Sequence, residues 1–170
     1  MAIDNIRERF IELSSRLTGI KSLYILCHDN PDPDSLAAMF LLRHLLRKYF
    51  RIGCRLLHGG VIARAENRAM VRRLKIPVSS IEQAHLRRHA WFAMVDTQPA
   101  AKNHSLPADA RVLMVFDHHA VRRPMRSEFT HVDTELGATS TLLLGYLREA
   151  GLDLDWRLAK YTFKIIRYYA

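Results

Sequence analysis

An α/β fold, with a mostly parallel β-sheet sandwiched by helices, is what this sequence predicts, and two observations carry the prediction. The first is a set of short apolar runs, among them Trp91-Phe92-Ala93-Met94-Val95 and Val112-Leu113-Met114-Val115-Phe116. They lack the alternation of a half-exposed strand, and such continuous runs mark strands buried on both faces, as in parallel sheets. The second is that segments with helical spacing stand between the runs, with no linker-like stretch anywhere, which is the alternation of one α/β domain.

Taken in order, Ile3, Ile6, Phe10, Leu13 and Leu17 recur at helical spacing and predict an amphipathic helix that stops at Gly19. Lys21 to Cys27 follows as the first strand. Leu36 to about Tyr49 is apolar nearly all round, the pattern of a helix packed on a sheet and covered on its other side. Ile52 to His58 reads as a second strand ended by Gly59-Gly60. Ala65 to Leu74 reads as a basic helix closed by Pro77, and Ser79-x-x-Glu82 has capping-box spacing for a short helix to about Arg88. After the two apolar runs, Phe129 to Val132 adds an edge strand. Gly137-Ala138-Thr139-Ser140 opens a helix to about Ala150, and Asp155 starts a last one toward Tyr169.

Composition narrows the class. With 170 residues, 49% hydrophobic and 25% charged, the chain has the balance of one domain able to bury a core, not of a disordered or fibrous protein. The opening MAIDNIRERF carries charges where a signal peptide needs an apolar run. The longest apolar stretch, Leu36 to Leu42, is far too short to span a bilayer, so a cytoplasmic protein without membrane association is expected. Cys27 and Cys54 have no CxxC spacing and read as reduced core thiols. The net charge of +9 is spread along the chain and favours a polyanionic partner, although any one arginine pair is explained as well by a solvated helix face.

The stretch His28-Asp29-Asn30-Pro31-Asp32-Pro33-Asp34-Ser35 follows the first strand directly. Asn30-Pro31 and Pro33 force a turn, and Asp34-Ser35 can cap the helix that follows. Such a loop aims His28, Asp32 and Asp34 at one point, a natural nest for a divalent ion; a capped loop with a surface histidine is the plainer reading. Two further strands end in the same chemistry: Asp96 closes one, and Asp117, His118 and His119 close another. In a parallel sheet these ends lie along one edge, so residues far apart in sequence converge. Carboxylate and imidazole without thiolate suit Mn²⁺ or Mg²⁺ better than structural Zn²⁺. So many carboxylates exceed the need of one ion. Two ions about 3.5–4 Å apart would use them and would clamp an in-line phosphoryl displacement.

HDNPDPDS, the strand ending in Asp96-Thr97, FDHH at 116–119 and GATSTL at 137–142 resemble, in order and spacing, the four successive motifs of the DHH phosphoesterases. That superfamily holds RecJ-type exonucleases, short-oligoribonucleotide nucleases with pAp phosphatase activity and family II pyrophosphatases. The resemblance runs from about Lys21 to Ala150. It implies that His28 and Asp32 hold one metal, that Asp34 and His118 hold the other, and that Asp96 bridges the pair. It implies an orienting role for Asp117 behind a histidine, and for His119 a contact with the substrate phosphate or leaving group. Thr139 and Ser140, at a helix N-terminus, could offer backbone N–H groups to a phosphate, a pattern that a plain helix cap explains equally well. The implied function is manganese-dependent hydrolysis of phosphodiester or phosphomonoester bonds in a nucleotide or a short single-stranded nucleic acid. A homodimer is compatible with it.

One part of the family pattern is altered. Members continue into a Gly-Ile-x-x-Asp-Thr segment whose Asp completes the second metal site, whereas here the corresponding stretch reads Ile165-Ile166-Arg167-Tyr168-Tyr169-Ala170. A tyrosine stands about where the carboxylate should be. The family's smaller second domain, with its glycine-rich substrate-binding loop, is missing from the 170 residues, so a single DHH catalytic-type domain over residues 1–170, with a weakened second ion and weak turnover, is expected. Two other functions compete. Asp32-Pro33-Asp34-Ser35 fits the DxDx pattern of haloacid-dehalogenase-type phosphatases, but that family gives FDHH no role. A nucleotide- or nucleic-acid-binding regulatory domain of the same fold, impaired in catalysis, fits the altered tail and the basic charge.

Overall fold

The computed structural model describes residues 6–153, the Leu74 side chain excepted. The chain runs α1 (Ile6–Arg16), β1 (Ser22–Leu26), α2 (Pro33–Lys48), β2 (Gly53–His58), α3 (Ala65–Leu74), β3 (Val78–Ser80), a 3-10 turn (Ile81–Gln83), β4 (Trp91–Val95), β5 (Arg111–Asp117), β6 (Phe129–Val132) and α4 (Thr139–Glu149). The strands form one sheet in the order β3-β2-β1-β4-β5-β6, and every neighbouring pair is parallel. The unbroken apolar runs are explained by burial on both faces, since Leu23–Leu26 and Phe92–Val95 are all buried.

Strand faces alternate. Leu23 and Ile25 of β1 and Ala93 and Val95 of β4 join the main core with Leu13 of α1, Met39 and Leu42 of α2, and Leu143 and Tyr146 of α4. Tyr24, Leu26, Phe92 and Met94 face the other way, into two smaller clusters. There the cover comes from the 3-10 turn and the connections after β4 and β5, through residues such as Ile81, Leu106 and Met125. Chain direction accounts for the difference. From β1 the sheet grows outward through β2 and β3, then returns to the far side of β1 for β4, β5 and β6, and right-handed crossovers in opposite directions fall on opposite faces. The reversal leaves a crevice between the carboxyl ends of β1 and β4, the topological switch point where ligands of open α/β sheets bind.

The element boundaries depart from the sequence expectations at two places. α2 begins three residues early: Asp32, not Asp34-Ser35, is its N-cap, with the Asp32 carboxylate accepting the Ser35 N–H at 2.9 Å. Pro33 enters the first turn, where its missing N–H costs nothing. The helix expected from Ser79 to Arg88 is instead the short strand β3 followed by one 3-10 turn capped by Ser80. Val78-Ser79-Ser80 is too short and polar to announce a strand, and pairing with Leu56, Leu57 and His58 of β2 supplies what local propensity does not. The last predicted helix and the altered tail lie outside the described residues, as does Ile3. No helix among the described residues is long and apolar enough to cross a membrane.

One buried polar pair makes stability depend on pH. His131 of β6 is 9% exposed, and its Nδ1 lies 2.6 Å from the Tyr146 hydroxyl of the fully buried α4 ring. Burial pushes the Tyr146 pKa up, so the phenol donates and the imidazole accepts as the neutral form. Burial and the nearby Arg9 charge lower the His131 pKa to about 4, against the pull of Asp133 and Glu12. The unfolded chain therefore takes up a proton near pH 6.5 that the folded chain refuses until about 4. The contribution of this pair to stability is full above pH 6.5 and falls by about 3 kcal/mol as pH drops to 4. Urea midpoints measured across this window should show the slope, and His131→Gln should flatten it.

Candidate metal centre

Three strand ends and the first turn of α2 meet at the crevice. His28 leaves β1 with its Nδ1 2.8 Å from the Asp29 carbonyl, and His118 leaves β5 with its Nδ1 3.2 Å from the Leu136 carbonyl. A carbonyl only accepts, so each Nδ1 carries a proton and each Nε2 is the working atom. Both Nε2 atoms point at one carboxylate. Asp96 Oδ2 lies 3.4 Å from His28 Nε2, and Asp96 Oδ1 lies 3.5 Å from His118 Nε2. Asp96 is 2% exposed and adopts the left-handed backbone region, φ 57°. For a residue with a Cβ that conformation costs about 1–2 kcal/mol. Its N–H stays bonded to the Phe116 carbonyl at 2.9 Å, so the turn swings the carboxylate between the two histidines while the backbone remains tied to β5.

Asp32 Oδ1 stands 3.9 Å from His28 Nε2 and completes a group of His28, Asp32 and Asp96 whose donor atoms lie within 4.8 Å of one another. Asp96, His118 and His119 form a second group by the same measure. The two groups share Asp96. Asp34 Oδ2 is 4.0 Å from His118 Nε2, so it borders the second group rather than closing it, while His119 Nδ1 lies 3.7 Å from Asp96 Oδ1. A cavity of about 310 Å³ lies over these residues and is lined also by Asn103 and Gly137.

The charges fit a cation. Burial by itself would lower the His28 pKa, but its contact with Asp96, the Asp29 carbonyl and the Asp32 charge raise it to about 9. The Asp96 contact likewise raises His118 to about 9 against the effect of burial. Burial alone would raise the Asp96 pKa, yet the contacts with His118, His28 and the Thr139 hydroxyl hold it well below the usual carboxylate range. With either imidazole protonated, its Nε2–H supplies Asp96 with the positive charge that a divalent ion would supply when bound. Two aligned imidazole nitrogens, each fixed through its other nitrogen by a carbonyl, are the arrangement metal-ligating histidines adopt.

The surroundings hold this geometry. Asp117 Oδ1 accepts the His118 N–H at 2.8 Å, the His119 N–H at 3.3 Å and the His119 Nδ1–H at 2.9 Å, which leaves His119 Nε2 for the cavity. Behind it Gln98, 1% exposed, donates Nε2–H to Asp117 Oδ2 at 2.7 Å and to the Ala120 carbonyl at 3.1 Å, and accepts the Arg122 N–H at 2.6 Å. Sequence inspection missed Gln98 because its role depends on β4 and β5 being neighbours; its position two residues after Asp96 was the available signal. Asn103 was missed for the same reason. Its backbone carbonyl takes the Asp29 N–H at 2.7 Å and its Oδ1 takes the Thr97 hydroxyl at 2.6 Å, leaving the amide donors of Nδ2 at the cavity. Gly59 permits this convergence, since a Cβ there would sit 2.7 Å from the Ser105 Cβ.

Thr139 and Ser140 differ from their expected role as phosphate donors. The Thr139 N–H donates to Asp34 Oδ2 at 2.8 Å and the Ser140 N–H to Asp34 Oδ1 at 3.0 Å, and both residues are fully buried. α4 packs against the first turn of α2, so the anion at its N-terminus is the Asp34 carboxylate, with a lone pair left on each oxygen. Burial and the nearby Asp96 charge raise the Asp34 pKa, and these two N–H groups oppose the rise. The Thr139 hydroxyl reaches Asp96 Oδ1 at 3.0 Å.

Gln98→Leu should expose the value of the support. It leaves the buried Asp117 Oδ2 without a donor and frees the 117–122 turn. Loss of an outer hydrogen-bond partner of this kind lowers metal affinity or activity roughly 10–100-fold, and an orphaned buried carboxylate oxygen costs about 1–3 kcal/mol. Mn²⁺ titration and urea unfolding of the variant measure the two effects.

A profile of the DHH family, N-terminal domain, matches residues 22–164. The chain belongs to the DHH family. It is 30% identical over 142 residues to an uncharacterized protein of Methanocaldococcus jannaschii, covering 83% of this chain and 29% of that protein. Its fold is shared with the crystal structure of an exopolyphosphatase-related protein from Bacteroides fragilis (TM-score 0.63, 14% identity), covering 92% of this chain and 48% of the other. It is shared also with a Methanococcus jannaschii protein solved as a candidate family II inorganic pyrophosphatase (TM-score 0.59, 20% identity), covering 84% and 46% respectively. The chain thus spans less than half of each of these proteins.

Proposed function

We propose that this chain is a metal-dependent phosphoesterase domain that hydrolyses phosphodiester or phosphomonoester bonds of nucleotides or short oligonucleotides with two divalent ions. The observation that carries the proposal is the Asp96 carboxylate, whose two oxygens each face a different carbonyl-locked imidazole, His28 on one side and His118 on the other. A carboxylate in that position could serve a cation on each side. Manganese is the proposed ion and magnesium the alternative, because the donors are carboxylate and imidazole with no thiolate among them. When bound, such ions polarise a phosphoryl oxygen and lower the pKa of a coordinated water.

The chain's own residues divide the remaining work. His28 and Asp32 would hold one ion, and His118 with Asp34 the other. His119, 57% exposed on its side chain and held through Nδ1 by Asp117, presents Nε2 to a phosphoryl or leaving-group oxygen. Asn103 Nδ2 offers neutral donors at the same cavity. The family and its two structural neighbours, one an exopolyphosphatase-related protein and one a candidate pyrophosphatase, support chemistry at phosphorus. Residues 1–170 act in this proposal as one catalytic-type domain in the cytoplasm, free of membranes and compatible with a homodimer, whose substrate is covered from outside the domain.

The test is a Mn²⁺-supplemented panel of pAp, short RNA, short DNA, a cyclic dinucleotide and pyrophosphate, applied to this chain and to any longer natural form. Hydrolysis of the nucleotide or oligonucleotide members is expected, weak from residues 1–170 and stronger from a longer form. A longer form inactive on every member, despite bound Mn²⁺, contradicts the proposal.

A further inference from the structure

The other end of α2 carries a second concentration of charge that the metal centre does not use. Arg43, His44, Arg47, Lys48 and Arg51, with Phe40, line a cavity of about 420 Å³, and no carboxylate is among its lining residues. Arg47, Lys48 and Arg51 are exposed and Arg43 is partly buried. The arginine ion pairs among the described residues, Arg7 with Glu149 and Arg9 with Glu12, lie on α1, and neither Arg43, Arg47, Lys48 nor Arg51 takes part in one. Among the described residues, four permanent cations gather around one concavity with no carboxylate paired to them.

Local structure explains only part of this. Lys and Arg in the last turn complement the helix dipole, which accounts for Arg47 and Lys48. The dipole fades within a turn and accounts neither for Arg43 nor for Arg51. Arg43 and Arg47 stand one turn apart on the same face, and burial together with the Arg47 charge pushes the Arg43 pKa down, the sign of a cation held where the protein alone disfavours it. Cys54, at the start of β2, backs the pair. Arg51 occupies the left-handed region at φ 60°, a conformation that L side chains avoid without cause.

We propose that this concavity is a second phosphate-binding site that takes a compact polyphosphate group, three adjacent phosphates matched to the four cations of Arg43, Arg47, Lys48 and Arg51. Arginine forks and a lysine point charge are the side chains that recognise closely spaced phosphates. The site is separate from the metal centre, because Asp34 and Arg47 are 13 residues apart on α2, about 20 Å at 1.5 Å per residue. The inference stands independently of the reaction proposed above.

Calorimetric titration of the whole chain with inorganic tripolyphosphate in the presence of EDTA tests it, since no ion is then available at the metal centre. One saturable site is expected, weakened at least about tenfold in Arg43→Gln/Arg47→Gln and in Lys48→Gln/Arg51→Gln. Arg72→Gln/Arg73→Gln, which removes equal charge from α3, should bind as the parent does, and all three variants should keep the parent's Mn²⁺ affinity. ATP serves as a second probe. Tighter binding of ATP than of tripolyphosphate assigns the site to a nucleotide, and equal binding assigns it to the phosphates alone. Absence of saturation below roughly 1 mM overturns the proposal. So does a loss in Arg72→Gln/Arg73→Gln as large as in the α2 variants, which would reduce the effect to net charge.

Discussion

Asp96→Asn is expected to abolish Mn²⁺ binding at both positions and to lower hydrolysis by at least about 10³-fold, beyond the 10–100-fold typical of losing an outer-shell partner. The substitution keeps the size of the side chain and an oxygen for the Thr139 hydroxyl. It removes the negative charge, and one of its two ends becomes an N–H donor that can face neither an imidazole N–H nor a cation. The same variant has a signature without metal. Contact with Asp96 is among the leading causes that hold His28 and His118 at about 9. In Asp96→Asn both histidines should titrate well below that value, His28 most of all because burial already pulls it down. Histidine titration by NMR in EDTA reads this shift directly. Unchanged histidine pKa values would mean that the carboxylate does not lie between them.

His28→Ala and His118→Ala are expected to remove one ion each and to leave the other. His28 shares its group with Asp32 and Asp96, and His118 shares its group with Asp96 and His119, so only Asp96 belongs to both. Metal analysis at saturating Mn²⁺, where a weakened second ion is still bound in the parent, should give about half the parent's content for either variant, with hydrolysis down roughly 10²–10⁴-fold because one side of the clamp is lost. The double variant should hold no ion. Loss of both ions from either single variant would show one mixed site in place of two.

Much of this architecture could be read from the chain before its fold was seen, and the reasons are physical. Strands buried on two faces have no room for polar residues, so Leu23–Leu26, Phe92–Val95 and Val112–Phe116 announce themselves, and a strand that stops at a charged residue marks its own carboxyl end. Phe129–Val132 carries a weaker pattern, with polar Thr130 and His131 inside it and only alternate positions buried, as suits an edge strand. β3 was not legible, because Val78-Ser79-Ser80 owes its conformation to β2 and carries no pattern of its own. The start of α2 was misplaced because Asp32, Asp34 and Ser35 all have capping chemistry, and only the backbone decides that Asp32 caps while Asp34 faces α4.

The site divides along the same line. His28, Asp32, Asp96 and His118 could be gathered by reasoning about strand ends, since topology alone brings them to one edge. The partners of the supporting residues could not. Gln98 reaches Asp117 and Asn103 reaches Asp29 across neighbouring strands and loops, contacts that no spacing in the sequence encodes. Thr139 and Ser140 illustrate the opposite error. A helix N-terminus near a phosphoryl site invites a substrate anion, but here an anion of the protein itself, Asp34, arrives first.

The central claim is that Asp96 is shared by two cations, and anomalous diffraction at the manganese edge from crystals of the chain grown with Mn²⁺ tests it most directly. Two peaks about 3.5–4 Å apart are predicted, one beside His28 and Asp32 and one beside His118, with an Asp96 oxygen bound to each. A single peak, or peaks that leave Asp96 uncoordinated, would contradict the account.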